Sequence, residues 1–409
     1  MMLFNSFKNS DISLFLFAFC ITSFPAVASI SLILFVLGGV KIYNKNRPKL
    51  LPKLLVPFIL LYLIYLVGLI YSNNIEYGLK IILKISALLI IPITFLLRGS
   101  VSIKEVELTK KYFVLGTFSW CGLALIISIA GYFINGKLDL FTYYGLAEVL
   151  HLHPTYQSFY ILASLFFLPM LPSIKKNYKI IIYLFLLIFL FLLQSRIAYL
   201  SLIILSFHQI FLYTKKKSMA LLLILVPLLI GLFIYLNPLT QRLSELKNIK
   251  YSIDEVGTIQ ENGINQRLWL WQNAVAQIRN SPYVGFGLGS QKSHFRWVIE
   301  KDLLFNSYNN QYTQSAKNLS KINLHNQYLQ YLYEFGTFGL AVFLIVLIII
   351  GKLLYNKRLF GEILIFSIFS IFMLTENMLD RQMGIYVFTF LISLFIFSNS
   401  ANTDRICFG

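Results

Sequence analysis

The sequence predicts an all-α, polytopic transmembrane helical bundle of about twelve spans, and three observations predict it. Of 409 residues, 57% are hydrophobic and only 13% charged, against about 45–50% and about 25% in soluble domains. Mean hydropathy is +0.72. Apolar runs recur along the whole chain at the length a bilayer demands, since ~30 Å of hydrocarbon takes about 20 helical residues. The net charge of +18 is gathered in short Lys/Arg clusters between those runs, a positive-inside pattern that argues for a membrane and against nucleic acid. The 37 Phe and 25 Tyr suit a bilayer with aromatic residues near its interfaces. Cys20 and Cys121 fall in apolar runs and Cys407 near the C-terminus, which provides neither a disulfide framework nor a metal spacing.

In chain order, the spans fall near 11–24, 26–43, 54–71, 77–97, 111–133, 153–172, 178–194, 196–213, 218–236, 326–352, 358–376 and 382–398. The first apolar stretch carries no small-residue cleavage site and reads as a membrane segment. Phe24-Pro25 interrupts it, so residues 11–43 form either one kinked helix or a tight hairpin. Gln194-Ser195-Arg196 is the only polar break in 178–213. This gives an N-terminal bundle of about nine spans (1–236), a long loop (237–325), and about three C-terminal spans with a short tail (326–409).

Loop charge orients the bundle with both termini in the cytoplasm. Lys41, Lys45, Arg47, Lys49 and Lys53 then lie inside, as do Arg98, Lys104, Lys110 and Lys111. So do Lys175, Lys176 and Lys179, then Lys215, Lys216 and Lys217, and finally Lys352, Lys357 and Arg358. The opposite connections, 71–76, 134–152 and 377–381, hold only Lys137 and Arg381. Ten or eleven spans would break this alternation unless one segment were re-entrant. Residues 237–325 are placed outside by the same rule, and a polar loop of that length is usually functional. Within it, Asn265 to Asn280 reads as an amphipathic helix with Leu268, Trp271, Val275 and Ile278 as its apolar face. Ser281-Pro282 ends it, and the glycines of Gly285-Phe286-Gly287-Leu288-Gly289 suit a tight turn and close backbone approach.

Three residues stand out as carriers of chemistry. Arg196 sits at an outer helix end, where it is either an interfacial anchor or a ligand for an anion. Arg267 lies early in the amphipathic helix, where a guanidinium beside a helix N-terminus makes a phosphate site, although a solvated arginine is the plainer reading. His325 opens the next span; its cation is disfavoured there, so it is either a neutral base or an interfacial hydrogen-bonding residue. Glu334 lies inside that span, able to partner an arginine or cap a cavity. Lys80 and Lys84, one turn apart, face an anionic headgroup or snorkel. His153, with Pro154, Thr155 and Tyr156, starts an outer helix end and lines a cavity, while His151 and His153 lack a third ligand for a metal. Glu376 and Arg381 most simply pair with each other, and His294 and Arg296 read as loop surface.

Ser195-Arg196, the long loop with Arg267, Trp271, Pro282 and Gly285-Phe286-Gly287, then His325-Asn326 and Glu334-Phe335-Gly336 with Gly339 resemble the O-antigen ligase and polymerase family from about residue 178 to 352. The resemblance implies an inner-membrane glycosyltransferase of the GT-C type. Its donor is a glycan on undecaprenyl diphosphate, used at the periplasmic face, and its acceptor is lipid A core in a ligase or another lipid-linked glycan in a polymerase. The loop spacing favours ligase. The resemblance also implies an inverting, metal-independent reaction without a cofactor, in which Arg196 and Arg267 bind the donor diphosphate and His325 is the catalytic base. Glu334, Lys80, Lys84, His153 and Tyr156 are supporting candidates, with membrane lipids as surroundings. The rival of another class, a transporter of lipid-linked oligosaccharide, should show internal repeats with broken helices, and none is evident. A membrane-anchored binding or regulatory protein would need no charged cavity under the loop.

Overall fold

A computed structural model describes residues 9–46, 51–213, 263–291 and 323–399. The expected span at 218–236, the lysines at 215–217, His294, Arg296 and most of the long loop lie outside these residues. Among the described residues there is no strand, only one isolated bridge between Val101 and Ser398.

The first helices are α1 (Asn9–Cys20) and α2 (Pro25–Asn46). They are two helices packed against each other and not one kinked helix; Pro25 starts α2, where its missing N–H costs nothing. After a short 3-10 turn, Pro52–Leu55, come α3 (Val56–Ile70), α4 (Ile75–Ile85), α5 (Ala87–Arg98) and α6 (Ile103–Asn135). The expected span at 77–97 is thus interrupted at Ser86. The start of α6 is fixed by a capping box in which Ser102 and Glu105 each bond the other's backbone N–H, and its end by Gly136 in the left-handed region. Next are α7 (Tyr143–Glu148), α8 (Pro154–Phe167), α9 (Lys176–Leu192) and α10 (Arg196–Tyr213). The loop helix α11 (Gly263–Ile278) is followed by α12 (Gln327–Asn356), α13 (Phe360–Phe372) and α14 (Gln382–Ile396). Among the described residues, five segments are long and apolar enough to cross a membrane: α2, α3 with its 3-10 turn, α4–α5, α6 and α12.

The core is aromatic. Phe17, Phe35, Phe95 and Phe390 interlock where α1, α2, α5 and α14 meet, with ring centroids 5.1–6.2 Å apart. Many large apolar side chains face outward, including Ile33, Leu83, Phe133 and Ile348, as expected of a surface solvated by lipid.

The amphipathic loop helix is present, but its buried side differs from expectation. Asn265, Trp269, Leu270, Ala274, Gln277 and Ile278 are inside, whereas Val275 is 47% exposed. Four consecutive apolar residues, 268–271, leave the face ambiguous to periodicity. Packing against α12, where Trp269, Leu270 and Ala274 join Tyr333, decides it.

Candidate active site

The glycine turn locks onto α12 at a break in that helix. Gly336 has φ 64°, so the helix is interrupted there, freeing carbonyls that would normally accept from the next turn. Phe286 N–H donates to Tyr333 O at 3.1 Å and Gly287 N–H to Glu334 O at 2.8 Å. Gly287, at φ 87°, passes so near Tyr71 and Ser72 that a Cβ would meet their backbone at 2.8 Å. Glu334 is buried beneath this turn and accepts from Gly289 N–H (3.0 Å) and Gln330 Nε2 (2.9 Å). It therefore holds the turn, and among the described residues it meets no arginine.

Arg196 and Arg267, distant in sequence, line one cavity of about 250 Å³ together with Tyr143, Pro154, Thr155, Ser195 and Thr375. Arg196 begins α10, and Pro154 and Thr155 begin α8, so two helix N-termini add their positive ends to two guanidiniums. That combination favours an anion, phosphate above all.

Glu376, next to Thr375, is fully buried in the connection between α13 and α14. His325 Nδ1 lies 3.1 Å from its Oε2, and His153 Nε2 lies 3.8 Å from the same oxygen. Burial opposes ionisation of Glu376, but the hydrogen bond from His325 and the charges of His325, His153 and Arg267 outweigh it and bring its pKa down to about 2. The local pairing of Glu376 with Arg381 expected from their spacing is incorrect: Arg381 is exposed, and the carboxylate turns inward to the imidazoles. His325 itself has φ 48°, and of the other four described non-glycine residues with positive φ, three, Tyr143, His151 and Gln194, also lie in or beside this region. Backbone strain of this kind concentrates at functional sites.

His153 caps α8, and burial lowers its pKa to about 4, so at neutral pH its contact with Glu376 is dipolar. Tyr156 donates to Asn377 O at 2.8 Å. Lys84 pairs with Asp380 at 3.3 Å near this loop, while Lys80 pairs with exposed Glu76 at 2.6 Å, one turn along α4. Sequence reasoning singled out Arg196, Arg267 and His325 and kept His153 among the supporting candidates, and the structure brings these four near one another. It missed the role of Glu376 and passed over Tyr144, whose hydroxyl lies 2.8 Å from His153 Nε2. Among the described residues, no group of three or more His, Cys, Asp or Glu side chains is arranged to hold a metal ion.

The fold and site define a multi-pass membrane protein with a cationic cavity beside a histidine–carboxylate pair. Residues 181–344 match the family model described as O-antigen ligase, so this segment is similar to that family. The match takes in Arg196, Arg267 and His325 and stops before Glu376. The comparison with curated proteins gives no match.

Proposed function

We propose that this protein transfers a polysaccharide from undecaprenyl diphosphate to an acceptor hydroxyl at the periplasmic face of the inner membrane, as an O-antigen ligase with lipid A core as acceptor. The observation that carries the reading is the convergence of Arg196 and Arg267 on one cavity, bordered by the residue next to Glu376, the partner of His325. Cleaving a glycosyl–diphosphate bond places negative charge on the leaving group. Two fixed guanidiniums and two helix N-termini oppose that charge from a preorganised frame, which fills the role a divalent cation takes elsewhere. His325, with Nδ1 turned to Glu376, has Nε2 available to take the acceptor's proton, and the ionised carboxylate stabilises the imidazolium that forms. Attack from the face opposite the departing diphosphate inverts the anomeric carbon.

A deletion strain examined by lipopolysaccharide gel tests this. A ligase leaves core without polymer while lipid-linked polymer accumulates, and His325→Ala fails to complement although the protein reaches the membrane. Core bearing a single repeat unit would identify a polymerase instead, and an unchanged gel would refute both.

A further inference from the structure

The reaction described above leaves His153 and Tyr144 without a task, although His153 stands 3.8 Å from Glu376 and is hydrogen-bonded to Tyr144. His153 Nδ1 accepts the backbone N–H of Thr155 at 3.3 Å, filling a capping role usually given to Asn, Asp or Ser. A ring nitrogen that accepts carries no hydrogen, so in the neutral imidazole the hydrogen is on Nε2. That nitrogen lies 2.8 Å from Tyr144 Oη and 3.8 Å from Glu376 Oε2. The helix cap thereby fixes both the ring's orientation and its tautomer. The side chain is 5% exposed and stands edge-on to Tyr144 and Tyr156, at centroid distances of 5.1 and 5.9 Å.

Glu376 is held from several sides. Oε2 meets His325 and faces His153, Oε1 accepts from Asn377 N–H at 3.3 Å, and Tyr156 ties down the Asn377 carbonyl. The charged groups around the cluster are Arg267, Arg381, His325 and Glu376, with Asp380 beyond Tyr156. We propose that His153, seated by its helix cap and by Tyr144, is a positioning residue that keeps the Glu376 carboxylate in the one rotamer whose Oε2 meets His325. The inference rests on the transfer reading and adds to it a positioning pair from α7 and the start of α8. The torsion that turns a carboxylate is broad and two-fold; Nε2–H is committed to Tyr144 and stands 3.8 Å from Oε2, too long for a hydrogen bond, so His153 acts on the carboxylate through the packing and dipole of its fixed ring. Small misplacements of a base are costly to rate.

The test uses the full-length protein in nanodiscs, with undecaprenyl-diphosphate-linked polymer as donor and polymer-free lipopolysaccharide as acceptor. His153→Asn retains a capping oxygen for Thr155 and lacks Nε2, so it separates the cap from the positioning contact. We expect kcat to fall about tenfold with donor KM unchanged. Tyr144→Phe should give a smaller fall of the same kind. The double variant H153N/E376Q should be no slower than E376Q alone, because the two residues act through one carboxylate. Parental kcat in H153N or in Y144F, or losses that multiply in the double variant, would overturn the proposal. Should H153N not fold, Y144F alone decides it, since that change removes only a hydroxyl. An inactive parent protein would strike at the transfer reading itself, whereas an active parent indifferent to these changes removes only the role given to His153.

Discussion

Arg196 and Arg267 line one hollow, so an anion held there meets both guanidiniums. The fork geometry of a guanidinium matters as much as its charge, because phosphate is met by two parallel donors. Arg196→Lys keeps the charge and loses the fork. We expect a loss of about 10²-fold in kcat/KM, measured by in vitro transfer; near-parental activity would make Arg196 an anchor. Acid should loosen the same cluster. His153 has a pKa of about 4 and Glu376 of about 2, against ordinary values of 6.5 and 4.5. Both folded values lie below the unfolded ones, so the unfolded chain binds more protons and stability declines as pH falls. The His153 contribution is lost between pH 6.5 and 4, and that of Glu376 between 4.5 and 2. The unfolding temperature in detergent should therefore drop from pH 7 to 4, and His153→Asn should flatten that slope; an unchanged slope would mean His153 titrates normally. The arginines and His325 were legible in the sequence because charge is conspicuous beside lipid. Glu376 was misread because its neighbour Arg381 offered a local partner, while its actual partners come from distant connections. Tyr144 was one tyrosine among 25, with nothing in its spacing to single it out.

At the scale of elements, the loop helix and the spanning helix are joined through backbone. The break at Gly336 exposes two carbonyls, and the turn at 285–289 supplies the N–H groups that satisfy them. Thr337 N–H also donates to Pro282 O at 2.8 Å, and Tyr71 and Ser72 hydroxyls donate to Val284 O and Leu288 O, each at 2.7 Å. The glycine turn was recognisable as a close-approach device, but its partner was not, since a glycine in an apolar helix usually signals only packing. Gly336→Ala would force a Cβ against the backbone of Tyr283 at a positive φ. We expect a destabilisation of about 1–3 kcal/mol, seen as a lower unfolding temperature, and weaker transfer, because α11 carries Arg267. Normal stability and activity in that variant would show that the helix break is dispensable. A substitution at Gly122, where a Cβ meets nothing, is the control.

At the scale of the molecule, the chain sorts its connections to two ends. Tyr144, His153, Arg196, Arg267, His325 and Glu376 all come from connections that loop charge assigns to the outside, and they meet. The connections assigned to the inside meet each other as well. Lys110 pairs with Glu362 at 2.6 Å, Lys357 Nζ donates to Ser398 O at 2.6 Å, and Val101 bridges Ser398. A wrong parity among the described helices from α6 to α10, or from α12 to α14, would have mixed the two sets, so the agreement supports the order of those helices. It leaves the absolute orientation to the charge bias, which retains Lys and Arg in the cytoplasm. A transferase using donors on the outer leaflet needs the arginine cavity outside. In a cysteine-free background, Lys137→Cys should react with an impermeant maleimide on intact spheroplasts, and Lys176→Cys only after permeabilisation. The reverse labelling would turn the bundle over, place the cavity in the cytoplasm and remove the periplasmic donor from consideration, while leaving the packing of the helices as described.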